Sequence, residues 1–396
     1  MDKKTYLKHW AELYKADLTE NILPFWLRHG LDRKNGGIFT SVDRDGTLMD
    51  SNKSMWFQGR FAFVCSFAYN HIERNPQWLE AARTTLDFIE RYGTDTDGHM
   101  YFEVTAEGVP VRKRRYVFSE SFAAIAMSEY AIASGDKSYG EKALELFKRI
   151  LKMTSTPGFL EPKFLEGFKG KGHSLTMILI NTASRIRAAI GNDPVLADQI
   201  DRSIAEISRD FMHPEYKALL ETVGPDGEFI DSMAGRLINP GHCIETAWFL
   251  LEEARYRNWD KTLTETALTI LDWSWEWGWD KEYGGIINFR DCKGFPCQDY
   301  SQDMKFWWPQ TEAIIATLYA YLATRDDKYL KMHRAISEYT YGHFPDIQYG
   351  EWYGYLHRDG TVAQPAKGNM FKGPFHIPRM MIKSHLLCHE ILDTLP

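Results

Sequence analysis

The sequence predicts an all-α fold, an (α/α)6 toroid of six helical hairpins with short β-hairpins in the connecting loops. Three observations carry this prediction. About twelve stretches place apolar residues at the helical period. Short extended runs ending in an X-Gly turn lie between them, a hairpin signal. The turn glycines recur: Gly46, Gly108, Gly227, Gly294 and Gly360 stand 62, 119, 67 and 66 residues apart. Six units in 396 residues average 66 each, enough for two ordinary helices and a hairpin.

The first helix is expected over 5–28, where Tyr6, Trp10, Leu13, Leu18, Ile22 and Phe25 follow the 3.6 period. The first extended run, Asn35 to Gly46, follows it. Helices are then expected over 54–72 and 76–92, and a second run from Asp97 to Gly108. Helices over 117–134, 138–153, 174–190 and 195–211 come next, with no clear hairpin in the long 119-residue step. A glycine-rich stretch, 167–172, occupies its place. The run Lys217 to Gly227 precedes helices over 240–257 and 261–277. Tyr283 to Gly294 precedes helices over 308–324 and 327–341. Gly350 to Gly360 precedes the last helix, over 377–394. The terminal units are as apolar as the inner ones. An open solenoid would need polar caps, so a closed ring is expected, with residues 1–396 as one catalytic domain. Such a ring gathers its loops at one mouth, the natural place for a pocket.

Composition narrows the function. With 44% hydrophobic and 26% charged residues the chain can bury a large core. A net charge of −7 argues against a nucleic-acid partner. No apolar run reaches the length of a membrane span, and no leader pattern is visible. Five scattered cysteines fit a reducing, cytoplasmic setting. Cys292 and Cys297 are close enough for a metal pair, but no second pair completes a site. Aromatic residues reach 14%, with 13 Trp, which suggests stacking surfaces for a ring-shaped ligand. Of these, Trp56, Trp248, Trp307, Trp308 and Trp352 are expected near a pocket. Trp273, Trp275, Trp277 and Trp279 read as packing between units.

No metalloprotease, Walker, nucleophile-elbow or dinucleotide signature is present. Gly167-Phe168-Lys169-Gly170-Lys171-Gly172 lacks the strand and Lys-Ser/Thr ending of a phosphate loop and reads as a lid loop. Four loop-to-helix junctions are more informative. Asn239-Pro240-Gly241 breaks the chain and starts a helix with His242 in its first turn and Glu245 three residues on. Helix N-termini disfavour added positive charge, so His242 is expected to tend to stay neutral, while a nearby carboxylate would oppose that and orient the ring. A capping histidine beside a capping-box-like glutamate fits the same spacing. Lys305-Phe306-Trp307-Trp308-Pro309-Gln310-Thr311-Glu312 enters a helix in the same way. So does Phe371-Lys372-Gly373-Pro374-Phe375-His376-Ile377-Pro378-Arg379. Met55-Trp56-Phe57-Gln58-Gly59-Arg60 places an arginine among aromatics. In a ring these junctions share one mouth, with two histidines across a Trp-lined pocket. That arrangement suits proton removal and return on opposite faces of a carbon. Tryptophan faces stack on sugar C–H surfaces, which points to a carbohydrate.

These segments resemble the N-acylglucosamine 2-epimerase family, and the similarity spans essentially the whole chain. The run from Gly350 to Arg379 sides with that branch rather than with the cellobiose 2-epimerases. The resemblance implies an (α/α)6 barrel, a homodimer, and interconversion of N-acetyl-D-glucosamine and N-acetyl-D-mannosamine. It implies that His242 and His376 are the acid/base pair and that Arg60 stands near the reacting end of the sugar. Glu245 and Glu312 are then supporting carboxylates, and Trp308, Asn181, Trp56 and Arg379 bind substrate. No metal or other cofactor is required, and ATP is implied as an activator that is not consumed. Alternatives are an epimerase or isomerase acting on mannose or a disaccharide, a glycoside hydrolase using Glu245 and Glu312, or a protein-interaction scaffold.

Overall fold

The computed structural model describes residues 2–114, 116–161 and 167–395. Its helices are α1 (Lys3–Asp17), α2 (Leu23–His29), α3 (Met55–His71), α4 (Pro76–Tyr92), α5 (Phe118–Ser134), α6 (Lys137–Ser155) and α7 (His173–Ile190). They continue with α8 (Pro194–Glu206), α9 (Pro240–Tyr256), α10 (Lys261–Gly278), α11 (Trp307–Thr324), α12 (Asp327–His343) and α13 (His376–Asp393). A π-helical turn over Leu18–Ile22 joins α1 to α2 in one rod, as the sequence predicts for 5–28. Every expected helix is present within a few residues of its expected ends.

Helices α3, α5, α7, α9, α11 and α13 form an inner ring in which each packs on the next and α13 returns to α3. The inner helices are buried on nearly all sides; α3 and α11 expose little but their ends. The outer helices α4, α6, α8, α10 and α12 carry a single apolar stripe, which faces its inner partner. The sixth pair joins the two ends of the chain: α1 packs on α13, and His385 Nδ1 donates to the Ala11 carbonyl at 2.9 Å. Spacing along the sequence cannot reveal this pairing, because its partners lie at opposite ends.

Close packing in the ring depends on small residues at particular places. A Cβ on Gly59 would stand 2.5 Å from the Phe122 backbone carbon, so only glycine lets α3 approach α5 this closely.

Connections from inner to outer helices are short. Those returning to the ring are long and carry the hairpins, all at the end where the inner helices begin. Short strands lace adjacent units there. Lys53–Ser54 pairs with Glu103–Val104, Lys171–Gly172 with Thr222–Val223, Leu237–Ile238 with Arg290–Asp291, and Lys305–Phe306 with Tyr355–Leu356. The glycine-rich stretch thus supplies the strand that the repeat lacked. Backbone bonds between Val42 and Gly368 close the lacing across the chain ends.

The repeat is visible in buried polar side chains. Gln58 and Gln310 each accept from and donate to the backbone of an isoleucine after a Gly-Gly turn, Ile38 and Ile286. Buried lysines bond to carboxylates in the loops: Lys53 to Asp32, Lys305 to Asp280 and Lys367 to Asp346. Each charge is paired, which burial at this depth requires. They pin the hairpin layer that shapes the mouth. No helix is long and apolar enough to cross a membrane among the described residues.

Candidate active site

A cavity of about 390 Å³ opens at this mouth. His242, Glu245, His376, Arg379, Arg60, Trp56, Trp308 and Asn181 all line it. Phe118, Phe122, Met177 and Ile178 make one wall apolar. Glu312 does not reach the cavity. It is fully buried behind it.

His376 opens α13, just after the Gly373-Pro374 break. Its Nδ1–H donates to Glu312 Oε1 at 2.8 Å. A carboxylate only accepts, so this shorter contact places the proton on Nδ1 and leaves Nε2 its lone pair, while Arg379 Nη2 stands 3.2 Å from the same Nδ1. Glu312 also accepts from Arg379 Nη2 at 2.7 Å and from the Trp248 indole at 2.8 Å. Arg379 Nη2 bonds Glu245 Oε1 at 2.6 Å as well. Burial pushes the His376 pKa well below its ordinary value, and the charges of Arg379 and Arg60 push it further. His376 is therefore a neutral imidazole.

His242 sits in the first turn of α9, where Asn239 caps the helix by accepting from the His242 backbone N–H at 3.2 Å. Its Nδ1 lies 3.0 Å from Glu221 Oε1. Burial lowers the His242 pKa, but Glu221, Glu245 and Glu312 outweigh burial and raise it above the ordinary value. The tendency to stay neutral expected of a helix start is opposed here by these carboxylates. The helix N-terminus opposes a proton there, but Glu221 lies within hydrogen-bonding distance and favours it.

Trp308 stands beside both imidazoles, its ring centroid 5.2 Å from His242 and 5.8 Å from His376. Gly241 makes room for it: a Cβ there would come within 2.4 Å of the indole. Arg60 lies over the rings of Phe122, Trp56 and Phe375 at 4.2, 5.1 and 5.0 Å. It has no carboxylate partner among the described residues, and its Nε is buried without an acceptor. The indole N–H groups of Trp56 and Trp307 are likewise unsatisfied. These buried donors, all on the cavity wall, suit a ligand rich in oxygen acceptors.

Two expected tryptophans lie elsewhere. Trp352 is buried away from the cavity, donating to Asp17 on α1 at 3.2 Å and packing on Tyr341 and Phe344. Its segment belongs to the hairpin of an outer helix, so it faces the first rod. Trp248 lies beneath the floor. Trp275 and Trp279 stack on each other at 4.8 Å, as packing residues should. Glu221 and His173 were not foreseen. Lys171 bonds Glu206 and Asp210 and so has no free charge for a phosphate. Cys292 and Cys297 are both free thiols. Glu245, Glu312 and His376 bring metal-type donors within 4.8 Å of one another. Arg379 already bonds both carboxylates, so its charge occupies the role a cation would take.

The family model of N-acylglucosamine 2-epimerase (GlcNAc 2-epimerase) matches residues 37–375. The chain belongs to this family. It is 33% identical over 395 residues to the N-acylglucosamine 2-epimerase of Bos taurus, covering 98% of this chain and 92% of that one. To the N-acylglucosamine 2-epimerase of Homo sapiens it is 32% identical, with 98% and 91% covered. Among solved structures, cellobiose 2-epimerase from Bacillus thermoamylovorans superposes with a TM-score of 0.85 at 21% identity, covering 98% and 100% of the two chains. That likeness supports the (α/α)6 barrel.

Proposed function

We propose that the chain, a sugar 2-epimerase by its family, interconverts N-acetyl-D-glucosamine and N-acetyl-D-mannosamine by proton transfer at C2. The observation that carries the mechanism is the pair of imidazoles flanking Trp308, each with Nδ1 on a carboxylate and Nε2 left for the ligand. Ring opening exposes an aldehyde, which acidifies the C2 proton. His376, neutral, takes that proton through Nε2. The electron pair moves onto the aldehyde oxygen, and the unpaired Arg60 guanidinium stabilises the enolate. In this direction His242, protonated, returns a proton to the opposite face, and the reverse reaction exchanges the two roles. The electronic demand is met by two imidazoles and a guanidinium, with no redox step.

Geometry disfavours a glycosidase with Glu245 and Glu312 as its pair. Glu312 is fully buried and accepts from three donors, so it cannot reach a glycosidic bond. The resemblance supports activation by ATP and a homodimer, and the five scattered cysteines support a cytoplasmic setting. Since Lys171 is taken by carboxylates, Lys169 is the cation of the glycine-rich stretch open to a phosphate.

The testing experiment offers N-acetylmannosamine, N-acetylglucosamine, mannose and cellobiose side by side and follows epimer formation. The two N-acetyl sugars are expected to convert at least about 100-fold faster, in kcat/KM, than the other two, since a site built around one substituent discriminates on that scale. Faster turnover of mannose or cellobiose would overturn the substrate assignment.

A further inference from the structure

We infer that Glu221 is a positioning residue for His242, the counterpart of Glu312 behind His376, and that it makes His242 the proton-donating member of the pair. The inference rests on the epimerase reading above.

Glu221 is held by the backbone on both sides. Its N–H donates to the Leu237 carbonyl at 3.0 Å, and its own carbonyl accepts from the His173 N–H at 3.1 Å. These bonds tie it to the strand entering α9 and to the start of α7. Its side chain is directed to His242 Nδ1 at 3.0 Å, with His173 Nδ1 at 3.7 Å. With the Nδ1 proton given to this carboxylate, Nε2 is left to the cavity; the Asn239 Nδ2 amide stands 3.1 Å from the same Nδ1.

The two carboxylate–imidazole pairs share a geometry and differ in their surroundings. Glu312 accepts from Arg379, so its charge is largely cancelled before His376 meets it. No lysine or arginine pairs with Glu221 among the described residues; besides His242, only His173 approaches it. His173 Nε2 bonds Thr246 Oγ1 at 3.0 Å, while its Nδ1 has no hydrogen-bond partner. The remaining groups around His242 are Glu245 on its own helix, Glu312 on α11, and His376 and Arg379 on α13, with Arg60 on α3 beyond. The charge of Glu221 therefore falls on His242 with no arginine or lysine between them among the described residues, while that of Glu312 is shared with Arg379. In turnover of N-acetylmannosamine His242 is thereby the proton donor and His376 the acceptor, and the reverse direction exchanges the roles.

The test is the pH profile of kcat/KM for N-acetylmannosamine in the wild type and in Glu221→Gln. Activity needs a protonated His242, so the rate falls as pH rises through its pKa. Glu221→Gln keeps the shape and removes the charge. The alkaline limb is expected to move down by roughly one to two pH units. The maximal rate is expected to fall about 100-fold, within the range a positioned acid supplies. His173→Asn leaves Glu221 wholly to His242 and is expected to move the same limb up. This second variant carries the test if Glu221→Gln does not fold. An unmoved limb in both variants, with the wild type active, would overturn the role of Glu221 and leave the epimerase reading standing. A wild type without epimerase activity would overturn the reading itself.

Discussion

Replacing His376 by alanine is expected to lower kcat by about 1,000-fold, the middle of the range that a positioned general base supplies. His376 offers the cavity a neutral imidazole nitrogen with its lone pair free. Stability should change little, by no more than about 2 kcal/mol, because Glu312 keeps its bonds to Arg379 and Trp248. His242→Ala is expected to behave alike, and the double variant to be scarcely worse than either single one, since the two act in one step. Steady-state rates together with urea unfolding check both points. A variant that loses several kcal/mol of stability but keeps its rate would make these histidines structural.

Arg379→Met is expected to have the largest effect on stability, about 3–5 kcal/mol. Its guanidinium is nearly inaccessible and bonds both Glu245 and Glu312. Methionine fills much of the volume but leaves two buried carboxylates without the guanidinium that bonds them. The same change reaches the chemistry. Arg379 helps keep His376 neutral. Without it, the bare Glu312 charge raises the His376 pKa. His376 works as a base only when neutral, so the acidic limb of the pH profile should shift to higher pH. Unfolding in urea and the pH profile of the residual activity measure the two effects. A loss under about 1 kcal/mol with an unmoved acidic limb would contradict the role given to Arg379.

Residues that follow a chain break were legible in the sequence. Asn239-Pro240-Gly241 and Gly373-Pro374 announce the helix starts that carry His242 and His376, and the repeat period places those starts at one mouth. Glu245 and Arg379 follow at helical spacing, so they share the face. Glu221 was hidden because its position depends on pairing between hairpins, which sequence spacing does not reveal. The Trp352 error has the same origin: its hairpin is easy to recognise, but the face it presents depends on which rod closes the ring. The ring closes by pairing α1 with α13, and no local pattern predicts a contact between chain ends.

The central step is solvent-exchanging proton transfer at C2 between two imidazoles. The most direct measurement is turnover of N-acetylmannosamine in deuterated water, followed by proton NMR at early conversion. The N-acetylglucosamine formed is expected to carry deuterium at C2, delivered by His242 after its exchange with solvent, while unreacted N-acetylmannosamine stays largely protiated. Product that retains the original C2 proton would contradict the two-imidazole mechanism.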